Sequence, residues 1–295
     1  MSTVLLIDGD VLCYLACPSR YNKNESVFFD ENGNKIPKEF TKEEDTRYLK
    51  LCWKNAKNMV KSYMTLTFAD DYLMAIKGDS NFRDEIYPDY KAHRKNKPSE
   101  LRNEFVPILR DLLLAEEMAI AAEGREADDL LRIWHTEVIA NGDTPIVASI
   151  DKDLRMIEGS HWHMKDNCLR NISKEEGLRL FYEQLLKGDP TDNIPGLPGV
   201  GPKRAEAILS CYNTEEEFRI AVIEAYKLVY EDDWRNYLLS NGKLLHIQRN
   251  YDDYFTLADW SITESTSVPL PKLSVTEPSC LPVPKLSAAN FKPPV

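Results

Sequence analysis

Short apolar runs ended by acids alternate with longer stretches of helical periodicity along the first half of this chain. Val4-Leu5-Leu6-Ile7 stops at Asp8-Gly9-Asp10, Tyr72 to Ile76 stops before Lys77-Gly78-Asp79, and Pro145 to Ile150 stops before Asp151. Such a run without alternation marks a strand buried on both faces. Between the runs, the stretches 50–67, 99–121 and 125–140 carry apolar residues at helical spacing. The order β-α-β-α-α-β predicts an α/β fold, a mainly parallel central sheet flanked by helices. Open α/β sheets bind ligands at the carboxyl ends of their strands, so Asp8, Asp79, Asp151 and Asp153 are expected on one rim.

After Arg170 the pattern becomes helical. Ile194, Leu197, Gly199, Val200, Gly201, Ala205, Ile208 and Leu209 fit the helix-hairpin-helix pattern over 194–209. Its glycines let a hairpin backbone approach a phosphate, amides at the next helix start bind it, and Lys203 and Arg204 add charge. An ordinary helical turn with Gly and Pro is the alternative. Gly124-Arg125-Glu126-Ala127-Asp128-Asp129 also has two readings, a dipole-favoured helix start or part of a ligand set. Three residues apart, Glu126 and Asp129 share a helical face while Asp128 points elsewhere. His161 and His163 alternate as on a strand, and surface or core roles outweigh a metal pair there. Trp234, Tyr237, Tyr251, Tyr254, Phe255 and Trp260 read as core packing rather than a base-stacking platform.

Charge and composition sharpen the picture. Acids gathered at separate places, including Asp189 and Asp192, repel one another unless divalent cations sit between them, and hard oxygen ligands suit Mg²⁺ or Mn²⁺. The formal net charge is -11, yet between Ile86 and Asn103 the cations Lys91, Arg94, Lys95, Lys97 and Arg102 outnumber Asp89 and Glu100. A local basic strip can therefore bind phosphate within an acidic whole. Six scattered cysteines without paired spacing suggest reduced thiols, and no basic leader or membrane-length apolar run is present, so a cytoplasmic location is expected, that of the host bacterium for a phage-encoded chain. The stretch 261–295 turns to Pro, Ser, Thr and Lys, which predicts a disordered tail. It repeats Pro-x-Pro-Lys-Leu-Ser at Pro269 and Pro282, read as drift or as a peptide docking on a replication partner.

Taken together, these motifs resemble the flap-endonuclease superfamily of 5′ nucleases, and within it the free-standing 5′→3′ exonucleases of short-tailed phages. The likeness rests on Ile7 to Asp10, Gly78-Asp79, Tyr87 to Lys95, Glu126 to Asp129, Asp151 to Asp153 and Gly188 to Asp192, in the family's order. The resemblance implies a PIN-like nuclease core over 1–170, with a basic arch at about 83–103, and a helical DNA-binding region over 171–260. It implies Asp8, Asp79, Glu126 and Asp128 at a first metal ion, Asp151, Asp153 and Asp192 at a second, and Asp129 and Asp189 outside these or touching the second. Tyr90 to Lys97 would form the arch, with Lys91 and Arg94 acting on the scissile phosphate and Tyr90, Lys95 and Lys97 contacting DNA. Gly199, Gly201, Lys203 and Arg204 would grip the duplex, with K⁺ at the hairpin. Two Mg²⁺ ions, replaceable by Mn²⁺, would hydrolyse phosphodiesters of duplex DNA from a 5′ end, nick or flap, and RNA primers in RNA·DNA hybrids are a second substrate. The alternatives are a structure-selective flap endonuclease, a PIN-like ribonuclease and a non-enzymatic helix-hairpin-helix protein.

Overall fold

The computed structural model describes residues 1–18, 41–92 and 104–260. His93, Arg94, Lys95 and Lys97 of the basic stretch, and the whole Pro-rich tail, lie outside the described residues.

The sheet is built from β1 (Thr3–Asp8), β2 (Asp71–Lys77), β3 (Ile120–Ala122), β4 (Thr144–Ser149), β5 (Gly159–His163) and β6 (Cys168–Ile172), in the order β3-β2-β1-β4-β5-β6. Every pairing is parallel except that of β5 with β6. The expected α/β class with a mainly parallel sheet is thus the observed one. Leu5, Leu6 and Ile7 are wholly buried because β1 is central and both its faces are covered. Leu5 and Ile7 face one layer, where Leu12 of α1 (Gly9–Ala16), Val60 of α2 (Lys42–Thr67) and Leu109 of α4 (Phe105–Ala115) pack. Leu6 points the other way, onto Leu131 and Trp134 of α5 (Ala127–Ala140), as strand alternation requires.

A second, helical layer continues the chain. It comprises α6 (Lys174–Lys187), the short pair β7 (Gly188–Asp189) and β8 (Ile194–Pro195), α7 (Pro202–Leu209), α8 (Glu215–Tyr230) and α9 (Trp234–Leu245). Its core joins Tyr182, Leu197, Ala205, Ile208, Phe218 and Tyr226. Trp234, Phe255 and Trp260 are buried there, while Tyr251 and Tyr254 are half exposed. Between the layers runs the short α3 (Phe82–Ile86), whose Arg83 is buried.

Two boundaries differ from expectation. Helix α2 begins at Lys42 rather than Lys50, because the Thr41 side chain and Glu44 cap its first turn reciprocally. The predicted helix 99–121 ends at Ala115 in the structure, Glu117 takes a left-handed φ of 56°, and Ile120–Ala122 becomes an edge strand beside β2. No glycine or proline marks that stop. Among the described residues no helix is long and apolar enough to cross a membrane, and no disulfide joins the described cysteines.

Candidate active site

Strand order reverses between β1 and β4, and a cavity of about 290 Å³ opens at the carboxyl ends of these neighbours. Asp8 closes β1 and caps α1, its Oδ1 accepting from the Val11 amide at 3.0 Å. The turn is sharp enough that a Cβ on Gly9 would stand 2.8 Å from the Ala75 carbonyl oxygen, so glycine is required. Ser149 Oγ donates to Asp8 Oδ2 at 2.7 Å and accepts from the Asp151 amide at 2.9 Å. Asp151 Oδ1 in turn accepts from the Asp153 amide at 2.9 Å, and Gln184 Nε2 donates to Asp153 Oδ1. One hydrogen-bonded chain therefore fixes three carboxylates across the switch point. Glu126 and Asp128 line the same cavity from the start of α5, and Asp192 lines it from the turn between β7 and β8.

The electrostatics follow from this crowding. Burial, with Asp10 and Asp151 adding repulsion, pushes Asp8 up to about 6. Burial and then Asp151 push Asp153 up to about 6. Asp128 is held well above the usual carboxylate range by burial and by Asp8 and Asp151. Carboxylates that resist ionising together are a donor set suited to hard divalent cations, which would neutralise them. Within the described residues no three His, Cys, Asp or Glu side chains converge closely enough to hold an ion as they stand. A lysine stands among them instead. Lys91 Nζ pairs with Glu126 Oε1 and lies 3.4 Å from Asp192 Oδ2. Burial works against its charge, but Glu126 and Asp192 outweigh it and hold its pKa above the ordinary value.

Of the carboxylates predicted as ligands, Asp8, Glu126, Asp128, Asp151, Asp153 and Asp192 are brought together. Asp79 is not. It is exposed just past β2 and does not line the cavity, whereas Asp10 does, accepting from the Lys77 amide at 2.9 Å and pairing with Arg110. Asp129 departs from the expectation that it shares a helical face with Glu126. Glu126 is the extended N-cap of α5 rather than a helical residue, and of the two only Glu126 lines the cavity. Asp129 turns inward, accepts from the Glu126 amide at 3.0 Å and forms a buried pair with Arg83. It is Asp128 that accompanies Glu126 into the cavity. Asp189 is buried, accepting from the Thr191 amide at 2.7 Å and Lys152 Nζ at 3.0 Å, contacts that outweigh burial and lower its pKa. It lines a smaller neighbouring cavity with Asp128, Asp153 and Asp192.

Tyr90, predicted to touch DNA, is buried, and its hydroxyl donates to Glu126 Oε2 at 3.0 Å, so it orients a carboxylate. His161 Nε2 is engaged with the Ile157 carbonyl at 2.7 Å and His163 with Asp166, so these imidazoles do not form a metal pair. Ser149 and Gln184 were not anticipated. Ser149 stands two residues before Asp151 at a strand end, and the period of two could have placed both on one side.

The hairpin candidate joins β8 to α7. Its apolar positions Ile194, Leu197, Ala205, Ile208 and Leu209 are buried, while Gly199, Gly201 and Lys203 are exposed and Arg204 Nη1 leans on the Gly199 carbonyl at 3.5 Å. Gly199 has φ 71°, which other residues rarely adopt, whereas a Cβ at Gly201 would meet nothing within 4 Å. Gly201→Val is therefore expected to leave the melting temperature unchanged and to weaken duplex binding several-fold if that open backbone meets phosphate. Fluorescence anisotropy in EDTA checks this, and unaltered affinity would make the turn an ordinary one.

A family profile described as "5′-3′ exonuclease, N-terminal resolvase-like domain" matches residues 3–182. The chain is 27% identical over 223 residues to Flap endonuclease Xni of Shewanella sediminis, covering 72% of this chain and 78% of that protein. It is 33% identical over 141 residues to DNA polymerase I of Rhizobium leguminosarum, covering 44% of this chain and spanning 14% of the polymerase. The T5 5′-exonuclease structure with bound zinc shares the fold, at TM-score 0.56 and 18% identity, over 82% of this chain and 86% of that one.

Proposed function

Since this chain belongs to the 5′–3′ exonuclease family of the flap-endonuclease superfamily, a family of divalent-metal-dependent nucleases, we propose that it is a Mg²⁺-dependent hydrolase that degrades duplex DNA from 5′ ends. The observation that carries this reading is the meeting of carboxylates from β1, α5, the end of β4 and the β7–β8 turn in one cavity at the switch point. Asp8, Glu126 and Asp128 would hold one ion and Asp151, Asp153 and Asp192 a second. Bound there, two Mg²⁺ ions, or Mn²⁺ in their place, supply charge neutralisation at the scissile phosphate and an activated water. The chain's own part is to fix those carboxylates through Ser149, Gln184 and Tyr90, and to present Lys91 to the phosphate once it leaves Glu126 and Asp192. The exposed Gly199 to Arg204 turn would hold the duplex backbone elsewhere, with K⁺ as a further ligand of the hairpin. RNA in RNA·DNA hybrids is a second substrate for the same chemistry, and phage replication or recombination a setting for it. Residues 1–170 would serve as the nuclease core and 171–260 as the DNA-binding region.

A structure-selective flap endonuclease is the second reading, favoured by the likeness to Flap endonuclease Xni over most of both chains. A DNA-binding protein without catalysis would leave the carboxylate set without a task.

Single-turnover cutting of 5′-labelled nicked circles, flapped duplexes and closed relaxed circles, with and without Mg²⁺, tests the proposal. Nicked circles should be degraded and closed circles spared; rapid cutting of closed circles would reject end dependence. Lys91→Ala should lower the single-turnover rate by about 100-fold. The same substitution removes a cation that competes for Glu126 and Asp192, so divalent ions should bind several-fold more tightly in calorimetric titration. Unchanged ion affinity would show that Lys91 does not stand in the ions' place.

A further inference from the structure

A second cavity, of about 330 Å³, shares no lining residue with the carboxylate cavity. It begins on α5 at Arg132, four residues beyond Asp128, or about 6 Å along the helix. Three cations line it from separate elements: Arg132 on α5, Lys174 at the first position of α6, and Arg249 after α9. Among the described residues none of the three has an ion pair. The Arg132 guanidinium makes one long hydrogen bond, 3.5 Å to the Met156 carbonyl, and the side chains of Lys174 and Arg249 make none to described residues.

The carboxylates nearby, Asp253 and Glu158, act on Arg132 but offset burial and the neighbouring guanidinium only in part. Glu215 is already held by Arg219 at 2.9 Å, and Asp253, bonded to His246 at 3.0 Å and to the Arg249 amide at 2.8 Å, is not in the lining, so among the described residues Glu158 is the lining acid without an ion pair. Burial, then repulsion by Arg249, pushes Arg132 down to about 10, so the two guanidiniums are close enough to disfavour one another. His135 on the same wall is kept neutral, pushed down to about 4 by burial and then by Arg132. Ile139 and Leu178 give the cavity an apolar side. Its volume falls at the lower end of small-ligand sites.

We propose that this cavity is a phosphate-binding site, distinct from the carboxylate site, in which Arg132, Arg249 and Lys174 grip a phosphate group and the apolar side accepts part of the nucleotide that carries it. Guanidinium pairs favour the planar, bidentate recognition that phosphate oxygens offer, and an anion there relieves the repulsion between them. The phosphate comes from a free nucleotide or from a DNA backbone.

Calorimetric titration of the full chain in EDTA, with inorganic phosphate and 5′-dAMP as probes, tests the site, alongside anisotropy with a labelled duplex. The Arg132→Gln/Arg249→Gln double variant should bind its ligand at least tenfold more weakly. Glu158→Gln, which removes the opposing charge, should bind severalfold more tightly and keeps the test open should the double variant fail to fold. Loss confined to inorganic phosphate and 5′-dAMP assigns the site to free nucleotides. Loss confined to the duplex, with a shallower salt dependence, assigns it to backbone phosphate. Equal affinities in parent, double variant and Glu158→Gln for all three probes would overturn the proposal.

Discussion

Asp129→Ala is expected to destabilise the protein by about 3–5 kcal/mol, the cost of leaving one member of a buried ion pair without its partner. Arg83 Nη1 lies 2.6 Å from Asp129 Oδ2 and Nη2 2.9 Å from Oδ1, with both side chains almost wholly buried. The carboxylate also accepts from the amides of Gln248 and Glu126, each at 3.0 Å, so its removal takes an acceptor from four donor nitrogens on three residues. Burial alone would raise the pKa of Asp129, but Arg83 and these amides hold it below the usual range. A depressed carboxylate contributes stability that is fully present above its unfolded value near 3.8 and disappears as pH falls through its folded value. At neutral pH the whole effect should be visible, as a drop of roughly 10 °C in melting temperature without metal, at about 2–4 °C per kcal/mol. Arg83→Leu should behave alike, and pairing it with Asp129→Leu should recover part of the loss. A melting temperature within 2 °C of the parent would return Asp129 to the list of candidate metal ligands.

Its neighbour should respond in the opposite sense. Asp128→Asn is expected to reduce Mg²⁺-dependent cleavage by more than about 100-fold, beyond the effect of groups that merely support a ligand, while raising stability without metal. The cause is the upward shift of Asp128, which burial and the charges of Asp8 and Asp151 impose. A raised carboxylate binds more protons folded than unfolded, so its penalty is greatest above its folded pKa and is relieved as pH falls toward the unfolded value. The advantage of Asp128→Asn over the parent should therefore be largest near pH 8 and shrink toward pH 5. Adding Mg²⁺ at pH 8 should stabilise the parent more than the variant. Thermal melts across pH with EDTA or Mg²⁺ supply the check, and a metal-free variant less stable than the parent at pH 8 would contradict the crowding of charge at this cavity.

The opposite expectations for adjacent residues show where sequence reading reached and where it stopped. The three acid-ended apolar runs placed β1, β2 and β4, and with them Asp8, Asp151 and Asp153, because a strand buried on both faces leaves an unmistakable apolar run. The assignment of Glu126 and Asp129 to one face failed because helical spacing was applied to an N-cap with extended backbone. Asp79 was grouped with the other strand-end acids, but whether such an acid turns toward the cavity depends on the loop that follows, and after β2 that loop lines the cavity with Ser80 and Asn81 while Asp79 stays exposed. Arg83 carried no local signal at all. Its partners lie 46, 161 and 163 residues away, and contacts of that range are written in tertiary packing rather than in periodicity. The start of α2 at Thr41 was legible in Thr41-x-x-Glu44 and was overlooked.

The guanidinium of Arg83 also bears on modularity. It joins the helix preceding Lys91 to the helix that carries Asp128 and Asp129, and donates to the carbonyls of Leu244 and His246 at 2.9 and 2.6 Å. The segment that defines the family, residues 3–182, holds the cation and its carboxylate but none of those carbonyls. A fragment cut at that boundary would expose a charge whose remaining acceptors lie on the missing piece, beside an apolar surface cleared of α8 and α9. The residues that match the family profile and those that satisfy this ion pair are therefore different sets, and the second extends to Gln248, whose amide completes the hydrogen bonding of Asp129.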